Sequence, residues 1–214
     1  MRKHNLFVST LSLLFVLYLL FSFSSEENKG TVYYIYDPLC SWSYGFTDVM
    51  DQIEKDYDEQ FNFIPVVGGL IPEDSFAIIK HANYYKENRA YLEGLTDVKF
   101  GDKFISKVTN DSNYYVRSLE PAMATIIVKE YAPQKALSFS VDIQRAIFFE
   151  GMDPMDHKQY LPYLKGTGLE EGVFLAKMKN EEYHNKAFKD YQLADKMGAT
   201  GYPTIVVKYD GKTK

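Results

Sequence analysis

Tyr33-Tyr34-Ile35-Tyr36-Asp37-Pro38-Leu39-Cys40-Ser41-Trp42-Ser43-Tyr44-Gly45-Phe46 begins as one kind of structure and ends as another. Val32, Tyr34 and Tyr36 alternate with Tyr33 and Ile35, a β-branched and aromatic pattern that suits a strand. Asp37-Pro38 stops the ladder, because proline has no N–H to donate and turns the residue before it away from helix. From Thr47 the period becomes helical, with Phe46, Val49, Met50, Ile53 and Tyr57 three or four apart on one expected apolar face. Cys40 therefore lies where a strand hands over to a helix. The free N–H groups and positive dipole end of a first turn stabilise a thiolate, so an acidic, accessible sulfur is expected here. Cys40 is also the only cysteine among the 214 residues. A lone cysteine is more often a small buried hydrophobe than a nucleophile, and only the strand–proline–cysteine–helix context argues otherwise.

Asp37-Pro38-Leu39-Cys40-Ser41-Trp42-Ser43-Tyr44-Gly45-Phe46 resembles the active-site segment of DsbA-like thioredoxin-fold proteins, in the branch that includes FrnE-type oxidoreductases. Gly201-Tyr202-Pro203-Thr204 resembles the cis-proline loop of that family. Ser118-Leu119-Glu120-Pro121-Ala122 and Gln144 to Gly151 are similar to segments of its helical domain. The resemblance runs from Val32 to Val207. It implies an α/β thioredoxin-like fold with an inserted helical domain, Cys40 as nucleophile and a cis bond before Pro203. Tyr202 would then offer its backbone to an extended substrate, and Trp42, Tyr44 and Tyr202 would form an apolar rim around the sulfur, with Pro203 completing the substrate-binding set.

One departure matters. Most members carry C-x-x-C, and here the fourth position is Ser43. A second thiolate would attack a mixed disulfide from within, which a hydroxyl cannot do. Ser43 can only hydrogen-bond the Cys40 sulfur, so exchange must be completed by an outside thiol. The expected activity is that of an exported monothiol protein of disulfide isomerase or reductase type. It would bind no cofactor and use glutathione or another thiol as co-substrate, with cysteine-containing exported proteins or small thiols as partners. Two other classes compete: glutathione-dependent transferases and isomerases of kappa-like DsbA fold, and a redox-silent peptide-binding or chaperone module.

The remaining chain sets the context. Arg2 and Lys3 precede an apolar run over residues 6–23, read as a signal peptide over 1–24 or an N-terminal membrane anchor. Both place the rest in the periplasm or another extracytoplasmic space, where one cysteine allows no internal disulfide framework. The formal net charge of −5 argues against nucleic acid as a partner. Residues 31–71 read as the first half of the thioredoxin fold, with Phe61 to Leu70 a second, parallel strand and Gly68-Gly69 an ordinary turn. Residues 72–165 read as helical: one helix through Phe76, Ile79 and Tyr84, with Tyr85, Tyr91 and Leu92 extending it or starting the next, a short one at Phe104 to Val108, then Pro121–Ala132 and Ala136–Phe149, followed by a loop with exposed Met152 and Met155. Residues 166–214 supply the second half, with helices over 170–179 and 181–197, a strand over Thr204–Tyr209 and an Asp210-Gly211 hairpin. The last strand and helix of such a fold are expected to be missing. His4, His81, His157 and His184 lack metal-site spacing, and Asn110-Asp111-Ser112 is a glycosylation sequon.

Overall fold

The computed structural model describes residues 29–71, 77–78, 82–111 and 114–213. The apolar run over 6–23, the proposed helical positions Phe76 and Ile79, and the sequon's Ser112 lie outside them. Among the described residues, no helix is long and apolar enough to cross a membrane.

Strand β1 (Gly30–Tyr36) runs directly into the Asp37-Pro38 turn, and helix α1 (Ser41–Gly45) follows. A break at Phe46 separates it from α2 (Thr47–Tyr57), so the helix begins six residues before the position that periodicity suggested. On α2 the buried residues are Thr47 and Met50, while Val49 and Tyr57 are exposed; that expected apolar face is only partly the packed one. β2 (Phe61–Val67) then pairs parallel with β1, as a crossover of this length requires. β5 (Thr204–Tyr209) lies antiparallel on the other side of β1 and turns through Asp210 and Gly211, both left-handed, into β6 (Lys212–Thr213). The sheet order is β2-β1-β5-β6. The returning strand expected to be missing is thus partly present, with Lys208 opposite Thr213 and Tyr209 opposite Lys212.

Between β2 and β5 lie β3 (Ala77–Ile78), α3 (Ala82–Thr96), α4 (Asp102–Asn110), β4 (Tyr115–Val116), α5 (Leu119–Tyr131) and α6 (Ala136–Arg145). A π-helical turn over Ala146–Glu150 extends α6, and a 3-10 helix spans His157–Leu164. α7 (Glu171–Lys177) and α8 (Glu181–Lys196) complete the order. Two of these were not legible. Ala77–Ile78 pairs antiparallel with β4 where one continuous helix was expected, and Met152 is buried in the loop after the π turn, not exposed.

β1 is buried on both faces, which is why it carries so many large side chains. Tyr34 and Tyr36 are fully buried, stack on each other at 5.0 Å and join the main core, which continues through α5, α6 and Phe148. Ile35 points the other way, onto Val66, Ala194 and Val206. The Tyr36 hydroxyl is paired with Thr125 of α5 at 2.9 Å, so a buried phenol that would otherwise cost a few kcal/mol is satisfied. Arg145 of α6 reaches back to Asp48 and Asp51 of α2 at 2.6 and 2.7 Å. Sheet and helical block are pinned together beside the strand–helix junction.

Candidate active site

Cys40 is the N-terminal cap of α1, with an extended backbone at φ −83° and ψ 116°. Asp37 shapes the approach. Its carbonyl accepts from Cys40 N at 3.1 Å, and its fully buried carboxylate accepts from Leu39 N and Leu70 N, both at 2.8 Å. Burial pushes the Asp37 carboxyl up to about 6 in spite of these bonds and one from Ser118. Sequence reading had given Asp37 only the role of ending a strand.

The thiol does not match its expectation. Cys40 is only 8% exposed, and burial pushes its thiol above the ordinary value. The Ser43 N–H and hydroxyl pull it down, the Asp37 carboxylate pushes it up, and the Trp42 N–H pulls it down again. Donors at the helix start are present, as foreseen, but α1 has five residues and a correspondingly small dipole, and desolvation outweighs it. Ser43 is completely buried. Its hydroxyl accepts from Asp37 N at 3.4 Å, and its carbonyl accepts from the Tyr34 hydroxyl at 3.2 Å.

The second segment arrives where the resemblance implied. The Tyr202–Pro203 peptide is cis, and the Cys40 thiol donates to the Tyr202 carbonyl at 3.5 Å, across 162 residues of chain. Trp42 stands at the rim, 42% exposed, with its ring edge-on to Tyr91 at 6.3 Å. Tyr91 of α3 is itself 61% exposed, whereas an aromatic at a helical position reads from the sequence as core. Tyr44 corrects the expectation in the opposite direction. It is buried, stacked on Phe148 at 4.9 Å, and donates to the Lys99 carbonyl at 2.6 Å, so it anchors α1 to the helical block and does not reach the rim.

Gly68-Gly69 is neither a plain turn nor a bare surface for substrate. A Cβ on Gly68 would lie 2.1 Å from the Tyr202 ring, and one on Gly69 2.9 Å from Tyr191. His157 and His184 line a separate cavity of about 390 Å³ with Arg117, Glu120 and Lys179, and neither histidine acts on the Cys40 thiol. Among the described residues, no group of three or more His, Cys, Asp or Glu side chains is arranged to hold a metal ion.

A thiol at a strand-to-helix junction, facing a cis-proline loop on the same sheet, defines a thioredoxin-like thiol protein with a helical insertion. The chain belongs to the DSBA-like thioredoxin domain family, a family of thiol–disulfide oxidoreductases, whose profile matches residues 104–214. Cys40 lies before the matched stretch. No curated protein sequence matches the chain. Among solved structures it is similar to a proposed protein disulfide isomerase from Nitrosomonas europaea, at 21% identity and TM-score 0.72 over 87% of this chain and 88% of that one. The cytosolic disulfide reductase DsbM from Pseudomonas aeruginosa, also solved with GSH, is 21% identical at TM-score 0.71 over 86% and 87%. A 2-hydroxychromene-2-carboxylate isomerase is 13% identical at TM-score 0.56 over 86% and 87%.

Proposed function

We propose that the protein is an exported monothiol catalyst of thiol–disulfide exchange, of isomerase or reductase type, acting through a mixed disulfide at Cys40. The observation that carries this is the Cys40 sulfur at 3.5 Å from the carbonyl before a cis proline, in a chain with no second cysteine. An extended substrate lies along Tyr202 and Pro203, with Trp42 covering its apolar side chains. The Cys40 thiolate attacks one sulfur of the substrate disulfide, forming Cys40–S–S–R and expelling the other sulfur as a thiolate. A second substrate thiolate then attacks the R sulfur and releases the Cys40 thiolate, so the disulfide has moved with no net redox change. With glutathione or another small thiol as attacker, two equivalents reduce the substrate disulfide and leave as their own disulfide. Ser43 donates to the thiolate and finishes neither step. Residues 6–23 supply the export signal or the tether.

Ser43→Cys tests this reading. It places a resolving thiol one turn from Cys40, so release should become internal: covalent complexes with a scrambled disulfide protein, trapped at acid pH, should fall at least tenfold. Equal trapping in both proteins would reject the monothiol mechanism. The raised Cys40 pKa favours a second reading, in which bound glutathione is the nucleophile and Cys40 stays protonated. Turnover of a small electrophile that survives Cys40→Ser would select it.

A further inference from the structure

We propose that Gly68 is a positioning residue for Cys40, its missing side chain forming the seat through which the Tyr202 ring holds the Tyr202 carbonyl against the thiol. Gly68 directly follows β2, and its N–H donates to the Tyr36 carbonyl at 2.7 Å. It is not among the left-handed glycines, so space and not backbone angle demands glycine there. A Cβ would fall 2.1, 2.3 and 2.4 Å from Tyr202 Cζ, Cε1 and the hydroxyl oxygen, distances at which the ring must leave. The next two residues extend the seat. A Cβ on Gly69 would meet the Tyr191 ring at 2.9 Å, and the Leu70 N–H donates to the Asp37 carboxylate at 2.8 Å. One short loop thus seats the ring whose own carbonyl meets the sulfur and holds the acid whose charge acts on it.

The consequence for the thiol has a definite sign. An S–H donating to a carbonyl is stabilised in its protonated form, and a thiolate beside the same carbonyl is not. Dislodging the ring moves the carbonyl it holds, which weakens the hydrogen bond and favours the thiolate. In a substrate complex the same carbonyl accepts a substrate N–H, so a correctly seated Tyr202 links strand binding to release of the Cys40 proton. This inference rests on Cys40 being the reacting group, but its test reads the thiol directly and needs no exchange activity.

The experiment follows iodoacetamide alkylation of Cys40 against pH in the full chain, with thermal melts, for Gly68→Ala, Tyr202→Ala and the double variant. Gly68→Ala should lower the midpoint by about half a pH unit, roughly threefold in thiolate fraction at neutral pH. Tyr202→Ala should shift it the same way, and the double variant should match Tyr202→Ala alone. A folded Gly68→Ala protein with an unmoved midpoint overturns the proposal, as does a Gly68→Ala shift of equal size in both backgrounds. Should Gly68→Ala fail to fold, the double variant should fold because the ring is gone, and its failure would also overturn the idea.

Discussion

Cys40 and Asp37 form one electrostatic unit, and their behaviour with pH follows from burial. A carboxyl that titrates near 3.8 when exposed and at about 6 in the fold holds its proton more tightly when folded. Its contribution to stability is therefore complete below about pH 4 and lost as pH rises through 6, a change of roughly 3 kcal/mol. Asp37→Asn cannot ionise, so denaturant melts across this window should show a visibly flatter pH dependence. The same substitution removes the negative charge beside the sulfur, and the alkylation midpoint of Cys40 should move down. In the unsubstituted protein that midpoint should lie above that of a free cysteine peptide. A midpoint below the peptide's would restore the acidic thiol that the strand–helix junction suggested.

At the scale of elements, the outer edge of β2 shows how the fold closes a strand without a neighbour. The Val67 N–H donates to Asp190 of α8 at 3.2 Å, and the Pro65 carbonyl accepts from Lys129 of α5, also at 3.2 Å. Lys129 and Asp190 meet at 2.7 Å. Pro65 itself suits the outward-facing register, where no ladder N–H is needed. Asp190→Ala strands a cation and a backbone donor together, so chemical denaturation should register a loss of about 2–3 kcal/mol. Adding Lys129→Met should recover part of that loss. A second element contact is tighter. A Cβ on Gly101 at the start of α4 would lie 1.7 Å from the Phe149 carbonyl oxygen in the π turn. Gly101→Ala must push these two backbones apart, at a cost of about 3 kcal/mol measured by equilibrium unfolding.

Over the whole molecule, one apolar cluster runs from Tyr34 and Met50 beneath the sheet through Ile127, Phe148 and Phe174. Among the described residues the helical block shows no separate core of its own, so sheet and block should unfold together. Trp42 fluorescence, which reports the active-site rim, and far-ultraviolet dichroism, which reports mostly the helices, should give coincident denaturation curves. Phe148→Ala should shift both by the same amount, about 3–5 kcal/mol, because its ring is shared by Tyr44, Phe100 and Phe104. Separate transitions would mean that the block folds on its own.

Local pattern determined β1, β2 and β5, the helices after Ser118 and the Asp210-Gly211 turn, because periodicity and turn chemistry are written in neighbouring residues, while the pairing of Cys40 with a proline loop came from the resemblance. The tertiary structure decided what no neighbour encodes. It set how deeply the sulfur is buried, and hence the direction of its pKa. It turned Tyr44 inward and Tyr91 outward, and made Gly68 a seat for Tyr202. Desolvation and close approach depend on groups more than a hundred residues apart in the chain, and those distances exist only once it has folded.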